Sequence, residues 1–314
     1  MKYEVRNFNT KHLIINHIEM KKIIFTLVII LLFSYQTSYA CDGCGGGAGS
    51  YYFGVSPLFT KNFVGIRYRH RSFTSNLGTQ QSFQNAELWG RFYPMKNLQI
   101  WAFVPYNFNS QTQINVPTKK LSGLGDITVM ANYQIFNKKD SSSTWKHNLL
   151  LGGGVKLPTG NYQNKDENNK LTDVNFQMGT GSLDFILNAN YTLRYKKIGL
   201  NANFSYQINT ENSRMHQFGN RTSALLSMFY VHKIGQIALM PSAGIFVESS
   251  KGDKQSGISV TETGGKATFA NLGLETYYKQ FSVGFQYQNP MSQNLQGSTM
   301  KANNRLVAHF MVMF

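Results

Sequence analysis

The sequence predicts an all-β protein, an antiparallel transmembrane β-barrel of about twelve strands preceded by an N-terminal signal peptide. Three observations predict it. Apolar residues recur with a period of two from residue 63 onward, which places them on one face of successive strands. The opposite face is built of Asn, Gln, Ser, Thr and Gly with few Lys or Glu, a lining for confined water rather than an open surface. The connections alternate between short turns and long polar loops, as in outer-membrane barrels.

At the start, Met20-Lys21-Lys22 precedes the apolar run Ile23 to Phe33 and then Ser38-Tyr39-Ala40. Two lysines, an apolar stretch and small residues at −3 and −1 define a secretory signal cleaved after Ala40. The run is too short for a permanent membrane helix, which needs roughly 20 residues. Residues 1–19 read as a spurious upstream extension, 20–40 as the signal peptide, and 41–62 as a Cys/Gly segment able to plug the barrel formed by 63–314. No other segment approaches a membrane helix, so strands must do the spanning.

The chain holds 31 Lys and Arg against 15 Asp and Glu; residues 1–40 carry five and two of these, leaving 26 against 13. Basic loops of this kind suit anionic lipid and lipopolysaccharide, or a pore that favours anions. Nucleic acid is excluded by export and by the scattering of the basic residues.

The strands follow in order: 63–73, 83–93, 98–108, 123–136, 148–157, 181–195, 198–208, 219–232, 236–248, 265–278, 281–289 and 303–314. The segment 198–208 shows the alternation most cleanly, with Ile198, Leu200, Ala202, Phe204, Tyr206 and Ile208 on one face. Several strands reach the nine to eleven residues that a tilted membrane strand needs. Short turns fall at 94–97, 196–197, 233–235 and 279–280; long loops fall at 74–82, 110–122, 159–180, 209–218, 249–264 and 290–302. Tyr93, Tyr106, Tyr195, Tyr230, Tyr278 and Tyr287 stand near strand ends, where interfacial girdles lie. An even count places both barrel ends on the periplasmic side. Fourteen strands is the alternative, with Tyr51 to Phe59 as a further strand and its pairing partner inside 159–180. The last strand ends on Phe314, and a terminal aromatic closing an alternating strand resembles the signal that outer-membrane barrels present to their assembly machinery.

Four motifs carry a family likeness: Phe103-Val104-Pro105-Tyr106, Ser122-Gly123-Leu124-Gly125-Asp126-Ile127, Gly154-Val155-Lys156-Leu157-Pro158-Thr159-Gly160 and Gly179-Thr180-Gly181-Ser182. In that order and spacing the chain resembles, over roughly 63–314, the outer-membrane family described as "Putative MetA-pathway of phenol degradation". The resemblance implies a barrel of a Gram-negative outer membrane and passage of small, including aromatic, compounds. It brings no catalytic residues with it, and the Cys/Gly segment departs from its pattern.

Arg67, Arg69 and Arg71 alternate with Ile66, Tyr68 and His70, so three arginines share the inner face. Turned outward, each would cost about 2–4 kcal/mol at the bilayer midplane. The pore-lining candidates are therefore Arg67, Arg69, Arg71, Arg91 and Arg194, with Glu87, Asp126, Asp184, Glu248 and Glu275 as ion-pair partners. Cys41 and Cys44 could close a small disulfide in an oxidising compartment, hold part of a metal site, or, at Cys41, take a lipid. No cofactor is implied, and no nucleophile–base pattern points to an enzyme. The expected function is an outer-membrane, porin-like channel or transporter for small solutes, anionic or aromatic, by passive diffusion. The alternative is a non-conducting barrel with a structural or partner-binding role through its long loops.

Overall fold

The structure, a computed structural model, describes residues 61–138, 144–165, 169 and 171–314. The expectations for residues 1–60, including the signal peptide, Cys41 and Cys44, lie outside these. Twelve staves close into an antiparallel barrel: β1 (Phe63–Ser75), β2 (Gln80–Met95), β3 (Leu98–Gln113), β4 (Val116–Leu124 continuing as Thr128–Lys138), β5 (Trp145–Lys156), β6 (Asp184–Tyr195), β7 (Ile198–Ile208), β8 (Arg221–Tyr230), β9 (Ile237–Ser250), β10 (Gly265–Tyr278), β11 (Phe281–Leu295) and β12 (Met300–Ala302 continuing as Arg305–Met313). Each pairs with its neighbours in sequence, and β12 closes the ring on β1 through the register Phe63↔Met313 to His70↔Leu306. Closure leaves no sheet edge in the bilayer, which irregular or open backbone could not survive.

The alternation read from the sequence is the alternation of burial. On β7 Gly199, Asn201, Asn203, Ser205 and Gln207 face inward, while Ile198, Leu200, Phe204 and Ile208 are exposed. Around the wall Ile66, Leu88, Leu187, Leu226, Leu272 and Val283 are each more than half exposed. An apolar belt this continuous far exceeds what a water-facing surface carries, and acyl chains are the solvent that suits it. At the short-turn end, Trp145 and Tyr195 pair with ring centroids 4.6 Å apart, both exposed at the interface.

The structure extends some strands beyond the expected bounds. The expected loop 110–122 is mostly ladder: β3 and the first piece of β4 form a hairpin turning at Ile114-Asn115, with Asn115 at φ 60°. Asn tolerates that left-handed conformation. Val116 to Lys120 are all exposed, so the hydrogen bonds continue here while the apolar period disappears. The expected strand 123–136 breaks at Gly125-Asp126-Ile127. A Cβ at Gly125 would fall 2.5 Å from Asn107 Nδ2 and 3.0 Å from Pro105 Cγ, so glycine lets β4 press against β3 as it changes direction.

Inside, apolar side chains form two belts. One lies towards the short turns and includes Phe63, Trp89, Trp101, Phe103, Met130, Phe229, Tyr277 and Met311. The other lies towards the long loops and includes Phe73, Phe83, Phe176, Leu225, Phe246 and Phe269.

Candidate functional site

Three of the four family motifs meet at one place. Asp126 accepts hydrogen bonds from the Gly160 and Thr180 backbone N–H groups (3.0 and 2.8 Å) and from the Thr180 hydroxyl (2.8 Å). Lys156 Nζ stands between Asp184 (2.5 Å) and Asp126 (3.4 Å) and donates to Thr180 Oγ1 at 2.7 Å. All three charged side chains are essentially fully buried. Gly160 and Gly179 touch backbone to backbone: a Cβ at Gly160 would lie 2.8 Å from Gly179 Cα. The three motifs thus form a clamp at the base of the segment joining β5 to β6.

That clamp turns the segment into the barrel. Asn107 Nδ2 donates to the Met178 carbonyl (3.0 Å), and Asn109 Nδ2 donates to the Phe176 carbonyl (3.1 Å). Phe176 meets Phe83 of β2 edge-on, with centroids 6.4 Å apart, and both Phe176 and Met178 are buried. The segment is stiffened from within by Gln177, bonded to Thr172 Oγ1 (2.6 Å) and to Asn164 N (2.9 Å). Asp173 caps the short 3-10 turn Val174–Phe176 by accepting from Asn175 N.

Arg67 and Arg69 share Glu87, at 2.7 and 3.0 Å. The Arg67 guanidinium also lies 4.6 Å from the Trp89 ring centroid. Arg91 lies over Phe63, Tyr93 and Trp101 and donates to the Lys61 carbonyl. Arg71 faces inward on β1, and Glu248 meets Arg305 of β12. Glu275 meets His309 at 3.1 Å. Asp126 and Asp184 belong to the clamp. Arg194 lies apart from these, at the short-turn end, donating to the Lys196 carbonyl at 2.7 Å. Phe314 is exposed, and its N–H bonds to the Asn62 carbonyl.

Sequence reasoning missed three partners: Lys156, Arg305 and His309. All three face inward on strands whose other face is apolar, so their parity was available. Glycine makes room for one pair. A Cβ at Gly284 would fall 2.2 Å from His309 Cε1 and 2.3 Å from Glu275 Oε1. Among the described residues no cluster of His, Cys, Asp or Glu could hold a metal ion.

The fold is shared with a known outer-membrane channel. The COG4313 outer membrane channel from Pseudomonas putida F1 superposes with a TM-score of 0.63 at 15% identity, over 83% of this chain and all of that one. The β domain of the Bordetella autotransporter BrkA follows at 0.49 and 9% identity, over 81% of this chain and all of that one. No curated protein matches the sequence. The protein is an outer-membrane β-barrel of a Gram-negative bacterium. Its residues 66–298 match one family model, and the chain belongs to the family described as "Putative MetA-pathway of phenol degradation".

Proposed function

We propose that the barrel is a channel through which small solutes cross the outer membrane by passive diffusion, with no catalytic step. The observation that carries this reading is the inward-turned segment: Phe176 and Met178 are held inside the closed wall by Asn107 and Asn109. A segment fixed there narrows the lumen and sets what passes. The belts of aromatic rings and the arginines beside them favour anionic or aromatic solutes. Partners on this reading are the solute, outer-membrane lipid and lipopolysaccharide, and the assembly machinery, to which Phe314 is offered.

Conductance in planar bilayers tests it. The wild-type chain should give discrete conductance steps. In Asn107→Ala/Asn109→Ala the segment loses two hydrogen bonds worth about 1 kcal/mol each, so a wider level should become about tenfold or more populated. No current from either protein, in any salt, would overturn the channel.

A further inference from the structure

Among the described residues, one group towards the long-loop end of the lumen holds more arginines than carboxylates. Arg71 and Arg305 lie one step beyond the His70↔Leu306 pair of β1 and β12. On the facing wall, Arg221 of β8 pairs in register with Ser250, and Glu248 of β9 pairs with Ser223. Arg71 feels the charges of Arg69, Arg221, Arg305 and Glu248 together. Of the two carboxylates that Arg71 acts on, Glu87 is taken by Arg67 and Arg69, and Glu248 by Arg305, whose Nη1 donates to it at 3.0 Å and whose Nη2 is closer still.

Two donors are left without acceptors. Arg305 is buried, and its Nε has no hydrogen-bond partner. Among the described residues Arg71 has no hydrogen-bond partner, although it faces inward. Like charges gathered in a confined lumen call for a counter-ion. The surroundings say what kind. The Arg305 guanidinium lies 4.0 Å from the Phe269 centroid and 5.9 Å from that of Phe73. Phe73 adjoins Phe83, and Phe269 adjoins Phe246, with centroids 5.9 and 6.1 Å apart. A strongly hydrated inorganic anion would lose its water here against phenyl rings. A carboxylate on a flat apolar body could place its charge at the guanidinium groups and its ring on the phenyls.

We propose that Arg71 and Arg305, walled by Phe73, Phe83, Phe246 and Phe269, form a binding station for small aromatic carboxylates. The proposal rests on the channel reading and deepens it, because it names the solute class and the place where it pauses. Arg71→Gln is the variant of choice, since among the described residues its guanidinium has no hydrogen-bond partner, and Glu87 and Glu248 keep their other arginines.

The test measures benzoate binding by equilibrium dialysis to the full chain folded in detergent, at low ionic strength. Benzyl alcohol and inorganic phosphate are the controls, and heat-modifiable migration in electrophoresis confirms folding. The wild type should bind benzoate in preference to both controls. Arg71→Gln should weaken benzoate binding by about tenfold or more, the loss of one charge-assisted hydrogen bond, while Arg71→Lys retains part of it. Absence of benzoate binding, phosphate binding as tight as benzoate, or an unchanged affinity in Arg71→Gln would overturn the station. A barrel that binds benzoate but carries no current would overturn the channel and leave the station standing. A barrel that conducts but binds no benzoate would do the reverse.

Discussion

Replacement of Lys156 by Met should destabilise the barrel by about 3–5 kcal/mol, the cost of leaving buried charge without its counter-charge. Among the described residues Lys156 is the one cation between Asp126 and Asp184, and all three side chains are sealed from solvent. Methionine conserves most of the volume, so the loss would come from electrostatics rather than from a cavity. Asp126 would keep its backbone donors, Gly160 and Thr180, whereas Asp184 would lose its closest partner. Adding Asp184→Asn to Lys156→Met should therefore recover a large part of the loss. Urea unfolding in lipid vesicles measures both. A Lys156→Met barrel as stable as wild type would show that the clamp does not anchor the segment between β5 and β6.

Leu226→Arg should cost about 2–4 kcal/mol, against about 0–1 kcal/mol for Tyr230→Arg on the same strand. Leu226 lies mid-way along β8 and is 54% exposed, while Tyr230 ends the strand at the short-turn rim and is 40% exposed. Similar exposure makes the pair informative. In water the two substitutions would be nearly equivalent, because an exposed arginine is cheap at either site. In a bilayer they differ by depth, because a guanidinium at the rim reaches the headgroups. Unfolding free energies in the same vesicles distinguish the cases, and equal values would argue against a lipid-facing belt.

Much of the wall was legible in the sequence because a strand's period of two is fixed by covalent geometry, whatever the strand pairs with. The clean alternation from Ile198 to Ile208 placed every side chain of β7 on its observed face. The closing strand was equally readable, with Leu306, Ala308 and Phe310 outward and Arg305 and His309 inward. Parity gives a face but not a partner. Arg305 meets Glu248, 57 residues away on β9, and that contact depends on how registers accumulate around the ring. The same limit hid Lys156, visible in a motif but without a sign that two aspartates from other strands would enclose it.

The inward turn of Phe176 and Met178 was hidden for a different reason. Their segment is polar and aperiodic, and it packs through backbone carbonyls that accept from Asn107 and Asn109. No pattern of side-chain hydropathy reports such contacts. The hairpin from β3 to β4 was missed because its ladder continues above the membrane, where no apolar face is required.

The central claim is that the apolar side of each strand meets acyl chains while the polar side faces the lumen. Nitroxide scanning of β7 tests it most directly, using single cysteines at positions 198 to 208 in a chain with Cys41 and Cys44 replaced by serine, reconstituted in bilayers. Oxygen, which concentrates in acyl chains, should relax labels at 200, 204 and 208 strongly and labels at 201, 203 and 205 weakly. A flat profile, or maxima at the asparagine positions, would contradict it.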